Sequence, residues 1–463
     1  MAAARAYLPD LVWSEGAFRA GAAVTVEDGK VAAVGPPGPG AEVIRWPGLA
    51  VLPGFVSAHS HAFQRAIRGR TERRAGAGRE TFWTWRAVMY QAAARLGPDE
   101  LHAVARMCFR EMALAGITAV GEFHYLHRDP QGRPYQDPSE LALRVTAAAR
   151  EVGLRIVVLR AAYARGGAGR APDAVQRRFV EASPDEVLAG LDRLSAALAG
   201  DPLASVGLAP HSVRACPAEW IAALAAEAGR RRIPLHVHAA EQPAEIEACR
   251  EEHGTTPVGL LEQLGALSER TTAIHAIHLD DADVRALGRA RVTVCACPTT
   301  ERDLGDGIVP ADRLAAHGVR LALGTDSNVQ IDPMEDARAL EQHLRLQHLE
   351  RAVLDDPPGS LAPRLLAAAT SGGMAALGLP GGRLAPGEPA DLVAIALDDF
   401  SIAGAAPEHL AAAVVFSLAR TAVRHVLVAG EAAVLDGRGA PGRTPDDRVL
   451  GDFREAMGRL WTA

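Results

Sequence analysis

Eight short apolar stretches recur between residues 52 and 327, with helical patterns between them. They read LPGFVSAHSH, ITAVGEFHY, LRIVVLRAAYA, ASVGLAPHS, IPLHVHAAE, TTAIHAIHL, RVTVCACP and VRLALGTDS. Strands in βα alternation repeated eight times predict an α/β fold of the (β/α)8 TIM-type barrel kind. A doubly wound open sheet is the alternative, but no G-x-G-x-x-G turn follows the first strand. The helix SPDEVLAGLDRLSAALAG opens with Ser183-Pro184-Asp185-Glu186, a capping box with proline at the first helical position. PAEWIAALAAEAGRRR and TPVGLLEQLGAL also have helical periodicity, and the arginines at 230–232 suit solvent and the helix dipole.

The chain ends read differently. AVTVEDGKVAAVG is a hairpin about Asp28-Gly29, a good tight-turn pair. ADLVAIAL, VRHVLVAG and EAAVLDGR are short strands separated by Gly and Asp, and GLPGGRLAPGEPADL before them suits a linker. The sequence therefore predicts a small β-sandwich domain formed from both chain ends. Residues 1–50 and 381–463 build it, the latter with a tail, and the barrel spans 51–380.

Chemistry in such a barrel sits at the C-terminal ends of the strands. The first strand ends with His59 and His61, which alternation sends to the same side. The second ends with Glu122, His124 and Tyr125, and the fourth with His211, followed by Arg214. The fifth ends with His236, His238 and Glu241, the sixth carries His275 and His278, and the eighth ends with Asp326. Any one of these alone could be a satisfied core polar residue. Their joint placement at one face is hard to explain as packing. His59, His61, His238 and Asp326 supply three imidazoles and a carboxylate, a set that suits a divalent metal of zinc type with room for a water. Glu241, three residues beyond His238, is close enough to shuttle a proton at the reacting atom. His275 can hydrogen-bond that water or the developing charge. His124, His127, His236 and His278 are expected to be structural or to support the site from behind its contacting residues.

Charge narrows the partners. A net charge of −7 argues against general nucleic-acid binding. No segment approaches the roughly 20 apolar residues that cross a bilayer. MAAARAYLPDLVWSEGAF does not read as a signal peptide, so a cytoplasmic protein is the default expectation. The five cysteines are odd in number and scattered, which disfavours a disulfide framework. Cys295 and Cys297 in RVTVCACP read as small core residues.

GFVSAHSH, HVHAAE, IHAIHL and LGTDS resemble, in order and over nearly the whole chain, the motifs of the amidohydrolase superfamily in its deaminase-like branch. The resemblance implies His59, His61, His238 and Asp326 as ligands of one Zn2+ per chain. It implies Glu241, His275 and Asp326 as catalytic. Many superfamily members bridge two metals with a carboxylated lysine. The only lysine here, Lys30, lies in the β domain, so one metal is expected.

HAFQRAIRGRTERRAGAGRETFWTWRAVMYQAA, GEFHYLH, APHSVRACP and CPTTERDLGDGI resemble that branch's iminohydrolases, which act on a formimidoyl group carried by a small-molecule dicarboxylate. Buried carboxylates must be paired. Gln64, Arg86, Tyr125, His211 and Arg214 are the expected substrate contacts. Arg86 and Arg214 lead, because a guanidinium can hold a carboxylate with two hydrogen bonds. Plainer roles compete: Arg86 could only stack on Trp83 or Trp85, Gln64 could cap the following helix, and Tyr125 and His211 could only brace the barrel mouth. A homodimer would fit the resemblance. A deaminase of a purine or related aromatic ring is the nearest rival reading. A non-catalytic scaffold barrel is disfavoured by the complete ligand set. The Gly- and Arg-rich segment 68–82 is expected to be a mobile loop that could order over a bound acid.

Overall fold

The computed structural model of the protein describes residues 4–74, 78 and 80–461. All eight apolar stretches form strands: Phe55–Ser60, Ile117–His124, Arg155–Ala162, Ala204–Pro210, Leu235–Ala239, Thr271–His275, Thr293–Ala296 and Arg320–Leu323. They lie side by side in chain order, each parallel to the next. The eighth returns to the first where Ser60 lies opposite Asp326. There the His61 N–H donates to the Asp326 carbonyl at 2.9 Å, and the Asp326 N–H to the His59 carbonyl at 3.0 Å. The predicted barrel is therefore present. Every residue of its first two strands is buried, as parallel strands covered on both faces require.

Two local readings are refined. The sixth strand stops at His275, short of its apolar run, because His275 and Ala276 adopt φ of 70° and 52°. Left-handed backbone cannot continue a strand. The helix Pro184–Ala197 does start at Ser183, whose Oγ accepts the Glu186 N–H at 3.2 Å. Its capping box is only half made. The Glu186 carboxylate instead accepts the Ala182 N–H at 2.7 Å and an Arg128 N–H at 2.6 Å. A charge-assisted bond to a guanidinium draws it away from the Ser183 backbone.

Both chain ends meet in one mixed nine-stranded sheet, the form the expected sandwich takes. Arg5–Ser14 runs parallel to Glu42–Pro53, which pairs on its other edge, antiparallel, with Leu392–Ala396. Asp28 and Gly29 turn the hairpin between Ala23–Glu27 and Lys30–Gly35 at φ of 47° and 76°. The sheet has its own apolar cluster, which includes Tyr7, Trp46, Leu392 and Leu427. The last helix, Asp446–Trp461, leaves the sheet and packs back on the barrel side: the Trp461 indole donates to the Ala66 carbonyl at 3.2 Å, and Arg106 pairs with Asp452. The five cysteines are buried and free. Among the described residues, no helix is long and apolar enough to cross a membrane. Of the 68–82 segment, residues 75–77 and 79 lie outside the described residues, and its end passes into the helix Phe82–Arg95.

Candidate functional site

Barrel closure brings the first, fifth and eighth strand ends together. Ligand-capable nitrogens of His59, His61 and His238, all buried, lie within 4.8 Å of one another. His59 Nε2 and His238 Nε2 are 3.2 Å apart. Asp326 Oδ1 lies 3.2 Å from His59 Nε2 and 3.6 Å from His61 Nε2. The other ring nitrogens set the tautomers. His61 Nδ1 faces the Phe123 carbonyl at 3.0 Å and His238 Nδ1 the His211 carbonyl at 2.9 Å, so each must donate there. Both rings therefore aim an Nε2 lone pair at the centre. Burial lowers the pKa of all three histidines, His61 to about 3. Lone pairs and a carboxylate facing one buried point need a positive charge among them. The 3.2 Å nitrogen separation is near the roughly 3.3 Å edge of a tetrahedron with zinc-to-nitrogen bonds of about 2.0–2.1 Å. Donor set and spacing fit a zinc ion.

The backbone is bent to achieve this. Ala240, His275 and Asp326 stand at φ of 56°, 70° and 43°, conformations that cost about 1–3 kcal/mol each and collect at functional sites. Asn328 clamps the last bend: its Nδ2 donates to the Asp326 carbonyl at 2.9 Å and the His61 carbonyl at 3.1 Å. Gly324 lets the eighth strand pass the first, since a Cβ there would lie 2.8 Å from His59 Cβ.

His275 stands beside this centre. Its Nε2 is 3.6 Å from Glu241 Oε1 and 3.8 Å from Asp326 Oδ2. Its Nδ1 donates to Glu301 Oε1 at 3.2 Å, and that oxygen also accepts the Cys297 N–H at 2.8 Å. Burial lowers the His275 pKa, but Glu241, the Glu301 hydrogen bond and Asp326 outweigh it and raise it well above the ordinary value. Glu245 steadies Glu241 by accepting its backbone N–H at 3.0 Å, and burial raises the Glu245 carboxyl to about 7. His275, Cys297 and Glu301 form a second buried cluster of ligand-capable atoms. Hydrogen bonds already occupy His275 Nδ1 and a Glu301 oxygen there.

Gln64, Arg86, Tyr125, His211 and Arg214 line the same cavity as His61, His238, Glu241, His275 and Asp326. His59 lies beneath them, fully buried. All eleven site residues named from the sequence are therefore brought together. Arg86, on the helix Phe82–Arg95, donates from Nε to the Tyr90 hydroxyl at 2.6 Å and from Nη2 to the Tyr163 hydroxyl at 3.3 Å. It also lies 5.4 Å from the Trp83 ring centre, so stacking accompanies its place in the cavity. Arg214 has Nε and Nη1 buried without a partner. Neither guanidinium pairs with a carboxylate among the described residues. Gln64 donates to the Tyr125 hydroxyl at 3.2 Å, and its Oε1 is buried without a partner.

The remaining strand-end polar residues brace the barrel. Glu122 accepts the Ala62 N–H at 2.8 Å, and burial raises its carboxyl to about 8. His127, His236 and His278 bond the carbonyls of Ala161, Ala376 and Asp306. His124 packs its ring 5.7 Å from that of His127. The sequence reading did not single out Glu301, Glu245, Tyr90, Tyr163 or Gln176. Tyr163 carried a signal: it directly follows the third strand, at the mouth.

The Amidohydrolase family matches residues 50–433. The chain is 41% identical to the formimidoylglutamate deiminase of Pseudomonas aeruginosa over 418 residues, 89% of this chain and 90% of that one. The crystal structure of an amidohydrolase from Brucella melitensis has a TM-score of 0.90 at 33% identity, covering 98% of this chain and 99% of that one. An adenosine deaminase from Xanthomonas campestris, with bound zinc, shares the fold at a TM-score of 0.82 and 24% identity, over 99% of this chain and 98% of that one.

Proposed function

The chain belongs to the amidohydrolase family, and on that footing we propose that it hydrolyses N-formimidoyl-L-glutamate to N-formyl-L-glutamate and ammonia. It is a hydrolase acting on a linear amidine C–N bond, a step of histidine degradation. The observation that carries the substrate is the pair Arg86 and Arg214, two guanidiniums beside the histidine cluster with no carboxylate of the described residues in ion-pair or hydrogen-bond contact. A dicarboxylate supplies two anions for them. A purine ring would leave both unpaired.

His59, His61, His238 and Asp326 would hold one zinc ion, and the chemistry it supplies is a water acidified to a pKa of roughly 7. Asp326 divides its work between two oxygens. Oδ1 faces His59 and His61, while Oδ2 faces His275 and accepts a proton from the attacking water. His275 Nε2 steadies the oxygen as it bonds to the formimidoyl carbon. Glu241 carries protons to the imino nitrogen, so that the C–N bond breaks and ammonia leaves with its electron pair. Gln64 and Tyr125 contribute neutral hydrogen bonds, and Arg86, His211 and Arg214 hold the carboxylates. The reading includes a cytoplasmic homodimer, on the strength of the sequence resemblance, and a chain divided near residues 50 and 380.

The test is ammonia release from N-formimidoylglutamate, N-formimidoylaspartate and guanine, assayed side by side. The glutamate derivative should react fastest. Faster turnover of guanine would replace this reading with the aromatic-ring one.

A further inference from the structure

Arg86 is held by neutral groups whose N–H donors can be assigned one by one. Tyr90 Oη receives Arg86 Nε at 2.6 Å, and Tyr163 Oη receives Arg86 Nη2 at 3.3 Å. Gln176, 1% exposed, reaches the same two oxygens, its Nε2 donating to Tyr163 at 2.9 Å and to Tyr90 at 3.1 Å. The amide cannot be turned round. Gln176 Oε1 must face the Asp173 backbone N–H, 2.7 Å away, because that group only donates.

A phenol has two lone pairs and one proton. Two N–H donors fill both lone pairs of Tyr163, and two more fill those of Tyr90. The two hydroxyls also lie within hydrogen-bond reach of each other, so the cluster itself can take one phenol proton at most, and the other needs an acceptor outside it. Both tyrosines line the cavity that holds the histidine cluster. The Tyr163 ring is fixed edge-on against His211, with centres 4.9 Å apart, and against Phe179 at 5.7 Å.

We propose that Tyr163, assisted by Tyr90, donates its hydroxyl proton to the substrate carboxylate that Arg86 holds, and so helps select a dicarboxylate. Gln176 is the positioning residue, since its two N–H bonds occupy a lone pair on each phenol and leave the pair one proton to direct outward. Burial raises the Tyr163 pKa well above its ordinary value, so the hydroxyl keeps its proton at neutral pH. The proposal rests on the dicarboxylate reading above and adds to it a residue and a direction.

Tyr163→Phe tests it, because the ring and its packing are kept. In the zinc-loaded enzyme, KM for N-formimidoylglutamate should rise about 10- to 100-fold, the worth of a hydrogen bond to a charged group, with kcat within about threefold. With the two mono-amides of the substrate, the penalty should vanish for one and persist for the other. An unchanged KM, or an equal penalty with both mono-amides, overturns the proposal. Calorimetric binding of glutarate separates this outcome from the fate of the proposed reaction. If the wild-type protein fails to turn over the substrate yet binds glutarate, Tyr163→Phe should still weaken that binding by a similar factor, and unaltered binding refutes the role. A wild-type protein that does neither removes both proposals.

Discussion

The two ends of the cavity are built from different material. At the proposed metal end, His59, His61, His238 and Asp326 sit on or just beyond barrel strands, and strand pairing fixes their spacing. At the proposed recognition end, Arg86 rides on the helix Phe82–Arg95, Gln176 on the short helix Ala174–Arg178, and Arg214 on the turn after the fourth strand. Ligand geometry must hold within a fraction of an ångström, which a barrel rim provides. Carboxylate recognition tolerates more slack, and loops allow it to be retuned without disturbing the chemistry. Changes at the first end should therefore abolish turnover, while changes at the second should move KM.

The contrast can be broken in order of effect. His238→Ala should lose its zinc and lower kcat about 10⁴-fold, read by elemental analysis and ammonia release. Activity near wild type would remove the metal end from the chemistry. Glu241→Gln should retain zinc and lower kcat about 10³-fold, in keeping with general acid–base catalysis. A variant with unimpaired turnover would reassign the proton relay. Glu301→Ala should lower kcat about 10- to 100-fold with KM within about threefold, because His275 loses the acceptor of its Nδ1 proton. Glu301→Gln keeps an acceptor and should recover part of that loss, whereas equal damage in both variants would mean that charge alone matters. Arg86→Lys should raise KM about 10-fold and spare kcat, because lysine cannot form the paired hydrogen bonds. A fall in kcat with KM unaltered would erase the distinction between the two ends.

The same contrast explains what the sequence revealed. Eight apolar runs and their polar termini were legible because barrel strands are short, continuous and buried, and the rim repeats once per strand. The metal end could thus be read as four residues on three strands. At the recognition end, Arg86 and Arg214 could be named through chemistry and resemblance, but their support could not. Tyr90, Tyr163 and Gln176 meet only after the helix Phe82–Arg95 folds against the loop that follows the third strand. Glu301 was hidden for a related reason: it lies one helical turn past Cys297, and only the sixth strand's left-handed end brings His275 to it. Glu186 shows the converse, a local capping signal overridden by a distant arginine.

The most direct test of the metal cage is anomalous X-ray diffraction from zinc-loaded crystals at the zinc absorption edge. One peak per chain is expected, at roughly 2.0–2.2 Å from nitrogens of His59, His61 and His238 and an oxygen of Asp326. No peak there, or zinc seated instead among His275, Cys297 and Glu301, would contradict the account.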